Sequence, residues 1–167
     1  LSLKGNTLIL YAYVEKHGEV LHDMIRDKAG ERKVFFVHGG VDGEERESIR
    51  HIVEKENDAI IVASYGTFST GINIKNLHNV VFASPTKSRI RTLQSIGRGL
   101  RISDTKDSMT LFDIADDLSH NKKKNYTLNH LIERVKMYSS EGFPYELHNI
   151  KLRSDHGTGR SLFSEDE

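Results

Sequence analysis

The chain has 167 residues, 37% apolar and 29% charged, with 24 basic and 24 acidic side chains and so no formal net charge. That length suits a single domain able to bury about 70% of its unfolded surface, and neutrality argues against a uniformly basic nucleic-acid binder. The absence of cysteine excludes disulfides and thiolate metal sites and fits a reducing compartment, and no run of 18 apolar residues is present to cross a membrane as a helix.

In chain order, Thr7 to Ala12 (TLILYA) is a short apolar run that predicts a buried strand. Glu15 to Asp27 comes next as a helix, with Val20, Leu21, Met24 and Ile25 expected on the inward face. Lys33 to Val37 is a second strand, closed by His38-Gly39-Gly40. Asp42 is the expected N-cap of a helix running to Glu56, with Ile49, Ile52 and Val53 at helical spacing. Asp58 to Ala63 is a third strand, and Ser64 to Asn73 reads as a Gly/Ser/Thr-rich loop. Asn79 to Ala83 is a fourth strand, Ser88 to Leu100 a helix, and Ser108 to Ala115 a fifth strand. Tyr126 to Ser140 is a helix with Leu128, Leu131, Ile132 and Val135 turned inward, ended by Gly142-Phe143-Pro144.

Short apolar strands alternating with amphipathic helices predict an α/β fold with a mainly parallel sheet covered on both faces. Ligands in such folds gather beyond the carboxyl ends of the strands. Residues 1–152 are expected to form the domain and 153–167 a flexible polar tail or truncated boundary. Leu1 to Val20 lacks an uninterrupted apolar core after a basic start, so these residues are not expected to act as a signal peptide. A start at Leu rather than Met suggests a fragment of something longer, and the lack of cysteine fits the expected cytoplasmic setting.

Charge is distributed unevenly. From Ala59 to Ser103 there is no Asp or Glu, where about six would fall at average density, while Lys75, Lys87, Arg89, Arg91, Arg98 and Arg101 all lie there. Such asymmetry points to an anionic partner. Within it, QSIGRGLR places Gln94, Arg98 and Arg101 at i, i+4 and i+7, one face of a helix. Guanidinium forks suit phosphate oxygens, so this face reads as a polyphosphate clamp. Gly97 and Gly99 are poor helix formers and suit close backbone approach. The hydroxyls and N–H groups of Ser64 to Gly71 suit phosphate as well. His38-Gly39-Gly40 is either a simple turn, which the residues alone favour, or a place where a nucleic-acid backbone comes close. Lys122-Lys123-Lys124 is a solvated run that adds salt-dependent affinity for DNA at most. The histidines are scattered without a metal-ligand spacing, and no metal site is expected. Asp113, Asp116 and Asp117 cluster after the fifth strand and are placed to cap the next segment of the chain.

In order along residues 7 to 115, TLILYAYVEKHGEVL, VFFVHGG, IIVASYGTFSTGIN and QSIGRGLR resemble motif IV, its adjoining His-Gly turn, motif V and motif VI of the second RecA-like domain of superfamily 2 helicases and translocases. The resemblance implies a three-layer RecA-like fold. It implies that Arg101 is the arginine finger for the ATP γ-phosphate, with Arg98 facing the phosphates and Gln94, Gly71 and Asn73 near the nucleotide. Asn73 stands where many relatives have Asp. It further implies DNA contacts from His38, Gly39, Ser64 and Thr67. The wider wording, through LFDIADDLSHNKKKNYTLNHLIERVKMY, is most similar to the recombination and repair branch of that superfamily. That implies single-stranded and branched DNA, stalled forks and R-loops with their RNA, and host cytoplasm for a phage-encoded chain. No G-x-x-x-x-G-K-[ST] loop occurs in the chain, so ATP and Mg²⁺ would be bound mainly by a first RecA-like domain, and the chain alone is expected to be inactive. Two other readings use the same residues: a stand-alone nucleic-acid-binding or annealing module, and the motor subunit of a restriction enzyme.

Overall fold

The computed structural model describes residues 2–69, 74, 76–84, 109–117 and 125–151. Strand β1 spans Thr7–Tyr11, with a π turn at Val14–Gly18 and then helix α1, Glu19–Arg26. Next come β2 (Val34–Val37), α2 (Gly43–Lys55), β3 (Ile60–Ser64), α3 (Tyr65–Ser69), β4 (Asn79–Phe82), β5 (Thr110–Asp113) and α4 (Tyr126–Ser140). The strands form one sheet in the order β2-β3-β1-β4-β5, with every pairing parallel. All five carboxyl ends therefore share one edge.

The strands form where both faces can be buried. Leu8, Leu10, Ile61, Ala63, Val80 and Phe82 point to one face, under Val53 of α2 and Tyr138 of α4. Tyr11, Ile60 and Val62 point to the other, under Ile25 of α1. The expected α/β, three-layer, parallel architecture is present. Asp42 caps α2 by accepting from the Glu45 N–H at 2.8 Å, a bond worth about 1 kcal/mol.

Three local expectations need correction. The first helix does not run unbroken from Glu15. Its first turn is a π turn, in which Gly18 N–H bonds Tyr13 O at 3.0 Å and Glu19 N–H bonds Val14 O. The wider turn shifts the helical phase, so Leu21 and Ile25 face the sheet while Val20 and Met24 are each 56% exposed. In α4, Ile132 is exposed and the deepest positions are Arg134 and Tyr138. Ser64 to Ser69 is the end of β3 and a short helix rather than a loop.

At the edge opposite the carboxyl ends, the segment leading into β1 is held by side chains from three loops. Arg32 donates from Nη1 to Leu3 O at 2.9 Å and from Nη2 to Gly5 O at 3.3 Å. Asn79 Nδ2 donates to Lys4 O at 2.8 Å, and Gly5 N–H donates to Asp58 Oδ1 at 2.9 Å. Asn6 N–H donates to His78 Nδ1 at 3.1 Å. The fully buried Asn6 side chain donates to Val53 O and Glu56 O and accepts from Ala59 N–H. Gly5 has φ 87°, and a Cβ there would lie 2.6 Å from His78 Cγ, so glycine is required on two counts.

Candidate functional site

The site is built on the carboxyl edge. β2 delivers His38, Gly39 and Gly40, and β3 delivers Ser64, Tyr65 and Thr67. Ser64 closes β3 and caps α3. Its Oγ lies 2.8 Å from Thr67 Oγ1 and accepts from Thr67 N–H at 3.2 Å. Both residues are buried, so the two hydroxyls engage each other and order the turn. The structure thus brings Ser64 and Thr67 together, as the spacing i, i+3 of a serine cap requires.

His38 is oriented by its own turn. Its Nδ1 accepts from Gly40 N–H at 3.1 Å, so the neutral ring carries its proton on Nε2 and offers a donor there. The ring leans on Phe36 at 5.1 Å, and Phe36 stacks on His22 at 5.0 Å and on Tyr11 at 5.8 Å. Burial, with the Glu19 charge second, pushes the Tyr11 phenol up to about 12.

Gly39 is exposed, its φ is not left-handed, and a Cβ on it would meet nothing within 4 Å. Nothing among the described residues requires glycine there, so a larger side chain would be tolerated by the fold. Gly39→Gln should therefore keep thermal stability within about 0.5 kcal/mol. If a DNA backbone lies against Gly39, the same change should weaken DNA binding about tenfold, or about 1.4 kcal/mol, at fixed salt. Affinity equal to wild type in a DNA titration would return this segment to an ordinary turn.

A second cluster stands where β5 ends. Asp113 accepts from Arg134 Nε at 2.5 Å and Nη2 at 2.8 Å, and from the Tyr138 hydroxyl at 2.7 Å. Arg134 is 5% exposed, and its Nη1 is buried without a partner among the described residues. Burial and then the Asp113 carboxylate hold the Tyr138 phenol far above its ordinary range. The start of α4 is tied to the same stretch. Thr127 Oγ1 donates to Asp116 O, Asn125 Nδ2 donates to Asp117 Oδ1 at 2.8 Å, and Asn125 Oδ1 caps Leu128 N–H. The three aspartates thus secure the next helix, as their clustering suggests, but by different atoms.

Gly71, Asn73, Gln94, Arg98 and Arg101, the helix Ser88 to Leu100, Lys122-Lys123-Lys124 and the tail 153–167 lie outside the described residues. Sequence reasoning missed Tyr65, His17 and Arg134. His17 sits in the π turn with Nδ1 3.2 Å from Ser84 Oγ, and the Tyr65 hydroxyl donates to Ser84 O at 3.1 Å. For Tyr65 and His17 the only signal was position, in the segments that follow the carboxyl ends of β3 and β1.

A five-stranded, all-parallel sheet with helices on both faces is the architecture of a RecA-like α/β domain. The model of the helicase conserved C-terminal domain matches residues 1–103, and the chain belongs to that family. It is similar to the ATP-dependent DNA helicase uvsW of Enterobacteria phage T4, with 40% identity over 157 residues, covering 88% of this chain and 31% of the relative. It is also similar to the putative ATP-dependent helicase IRC3 of Saccharomyces cerevisiae, with 29% identity over 112 residues, covering 67% of this chain and 16% of the relative. The crystal structure of T4 UvsW superposes with a TM-score of 0.65 at 41% identity, over 83% of this chain and 30% of that one. The C-terminal part of the Fun30 ATPase domain shares the fold alone, with a TM-score of 0.55 at 16% identity over 85% of this chain and 50% of that one. The chain thus spans about a third or less of the length of these curated relatives. Among the described residues, no helix is long and apolar enough to cross a membrane.

Proposed function

We propose that this chain is the second motor domain of an ATP-dependent superfamily 2 DNA helicase acting on branched DNA, stalled forks and R-loops. One observation carries the reading: Gln94, Arg98 and Arg101 recur at i, i+4 and i+7 beyond β4 of a RecA-like sheet, in a chain without a phosphate-binding P-loop. Arginines on such a face need a polyphosphate that another domain holds. Arg101 is the finger toward the γ-phosphate, Arg98 a second phosphate contact, and Gln94, Gly71 and Asn73 face the nucleotide. ATP with Mg²⁺ sits mainly on a first RecA-like domain. Phosphoryl transfer depends on positioning and charge stabilisation, so a finger on a separate domain makes hydrolysis depend on cleft closure. His38, Gly39, Ser64 and Thr67 form the DNA-facing part of the carboxyl edge, with residues 1–152 as the domain and 153–167 as its tail.

The acid-free stretch from Ala59 to Ser103 supports a second reading, a nucleic-acid-binding or annealing module with no ATPase partner. One assay bears on the first reading. The purified 167-residue chain should bind DNA with a steep salt dependence and release no phosphate from ATP above background, with or without DNA. DNA-stimulated turnover by the chain alone would refute the division of labour between two domains.

A further inference from the structure

We propose that Tyr13 is a stacking platform for a nucleobase of single-stranded DNA. The inference rests on the proposed reading that the carboxyl edge of the sheet faces DNA. Tyr13 follows β1 by two residues and so stands on that edge. Its side chain is 63% exposed and belongs to neither core cluster, and its hydroxyl makes no hydrogen bond among the described residues. An isolated exposed aromatic is ordinary on a protein surface, but this one is held in place. Its backbone is extended, at φ −120° and ψ 124°, and its carbonyl accepts from His17 N–H and from Gly18 N–H, each at 3.0 Å. The His17 ring meets the phenol ring edge-on, at 5.5 Å and 71°. His17 Nδ1 in turn lies 3.2 Å from the buried Ser84 Oγ. The phenol ring is thus braced from one side and open to solvent over most of its surface.

The turn that makes these contacts is an independent observation. It is a π turn, a geometry rare in proteins and frequent at functional sites. Gly18 makes it possible, since a Cβ there would lie 2.5 Å from Tyr11 Cε2 and Cζ. The turn packs against β1 and β3. Tyr11, two residues before Tyr13, stacks on Phe36 at 5.8 Å and brings its hydroxyl to 3.5 Å from Val37 O. Phe36 meets the His38 ring at 5.1 Å. A row of described side chains therefore joins the end of β1 to the His38-Gly39 turn at the end of β2. With only β3 between them, the two strand ends lie about 10 Å apart at ordinary strand spacing, within reach of one bound DNA strand. Glu15 and Lys16, both exposed in the π turn, offset each other in charge, so Tyr13 offers ring surface rather than a phosphate contact. Every base has a π face, and stacking on an aromatic side chain tolerates any sequence. The adenine of ATP is the other nucleobase in the proposed reaction, and the row of contacts toward His38 and Gly39 favours DNA over it.

The test uses the full-length chain and reads fluorescence anisotropy with two labelled probes. One is a single-stranded deoxythymidine oligonucleotide, the other an oligonucleotide of the same length with every position abasic. We expect Tyr13→Ala to bind the first about tenfold more weakly than wild type and the second equally well. Tyr13→Phe and Tyr13→Trp keep a π face and should stay within about twofold of wild type on both. The dependence of affinity on salt should be the same in all variants, because no phosphate contact is lost. The melting temperature of Tyr13→Ala and its KM for ATP should stay at wild-type values. Tyr13→Ala at wild-type affinity beside a weakened Gly39→Gln would overturn the stacking role and leave the DNA-facing edge intact. Equal loss on the two probes would also overturn it, making Tyr13 a backbone contact. A raised KM for ATP with DNA affinity unchanged would move the ring to the adenine and overturn the assignment to DNA. If Tyr13→Ala and Gly39→Gln both bound the deoxythymidine probe like wild type, the reading beneath the inference would itself be lost.

Discussion

Arg101→Ala in the full-length chain should reduce DNA-stimulated ATP turnover by about 10³–10⁵-fold, the effect of losing an arginine finger, while DNA affinity stays within a few-fold of wild type. The separation comes from where charge develops. On the proposed reading, the guanidinium would meet the transferring phosphoryl group only in the closed cleft, so its loss would fall on kcat rather than on binding of the oligonucleotide. Arg101→Lys should not restore the rate, because an ammonium lacks the planar fork that spans two phosphate oxygens. Arg98→Ala should be impaired as well and should raise KM for ATP if, as proposed, a second guanidinium at i−3 meets ground-state phosphates. Steady-state phosphate release at saturating DNA, with fluorescence anisotropy for DNA affinity, reads both quantities. Turnover unchanged in Arg101→Ala would make QSIGRGLR a binding or structural element and favour the module reading.

The second large effect concerns stability. Asp113→Ala leaves Arg134 buried with no carboxylate and removes the acceptor of the Tyr138 hydroxyl. Breaking one side of a buried pair costs about 3–5 kcal/mol. For a chain of this size, that corresponds to a fall in melting temperature of roughly 6–20 °C. Replacing all three partners, Asp113→Leu with Arg134→Met and Tyr138→Phe, removes both charges and the orphaned hydroxyl and should recover most of the loss, since apolar substitutes for a buried pair are often neutral. Thermal unfolding by circular dichroism gives both values. A loss below about 1 kcal/mol for the single change would mean the pair behaves as a solvated surface bridge.

Legibility in the sequence has physical causes. The five strands are legible because parallel strands buried on both faces make short apolar runs such as DAIIVA and NVVFA. Asp42 is legible because a cap acts within one turn. The face of α1 is misjudged because a periodicity of 3.6 has no way to register the π turn. Arg134 is missed because a charged residue in an apolar stripe looks outward until Asp113, 21 residues earlier, is known to end a strand beneath it. Asn6 carries no periodic signal, yet its side chain bonds four backbone groups, of Val53, Glu56, Ala59 and Asn76. Of the proposed site residues, Arg98 and Arg101 are singled out by chemistry and spacing alone and lie outside the described residues. Tyr65 and His17 gain meaning only when β3, β1 and β4 lie side by side.

The cross-bracing of Leu3 to Asn6 has a mechanical consequence. β1 is the central strand, flanked by β3 and β4, and the chain just ahead of it is held laterally by Arg32, Asp58, His78 and Asn79. Tension arriving at Leu3 is therefore shared by several side-chain bonds and then carried into two ladders in shear. It does not peel one hydrogen bond after another from the end of β1. A pull at that edge therefore loads the sheet as a unit, from the entry of β1 to the opposite edge where His38, Ser64 and Tyr65 stand.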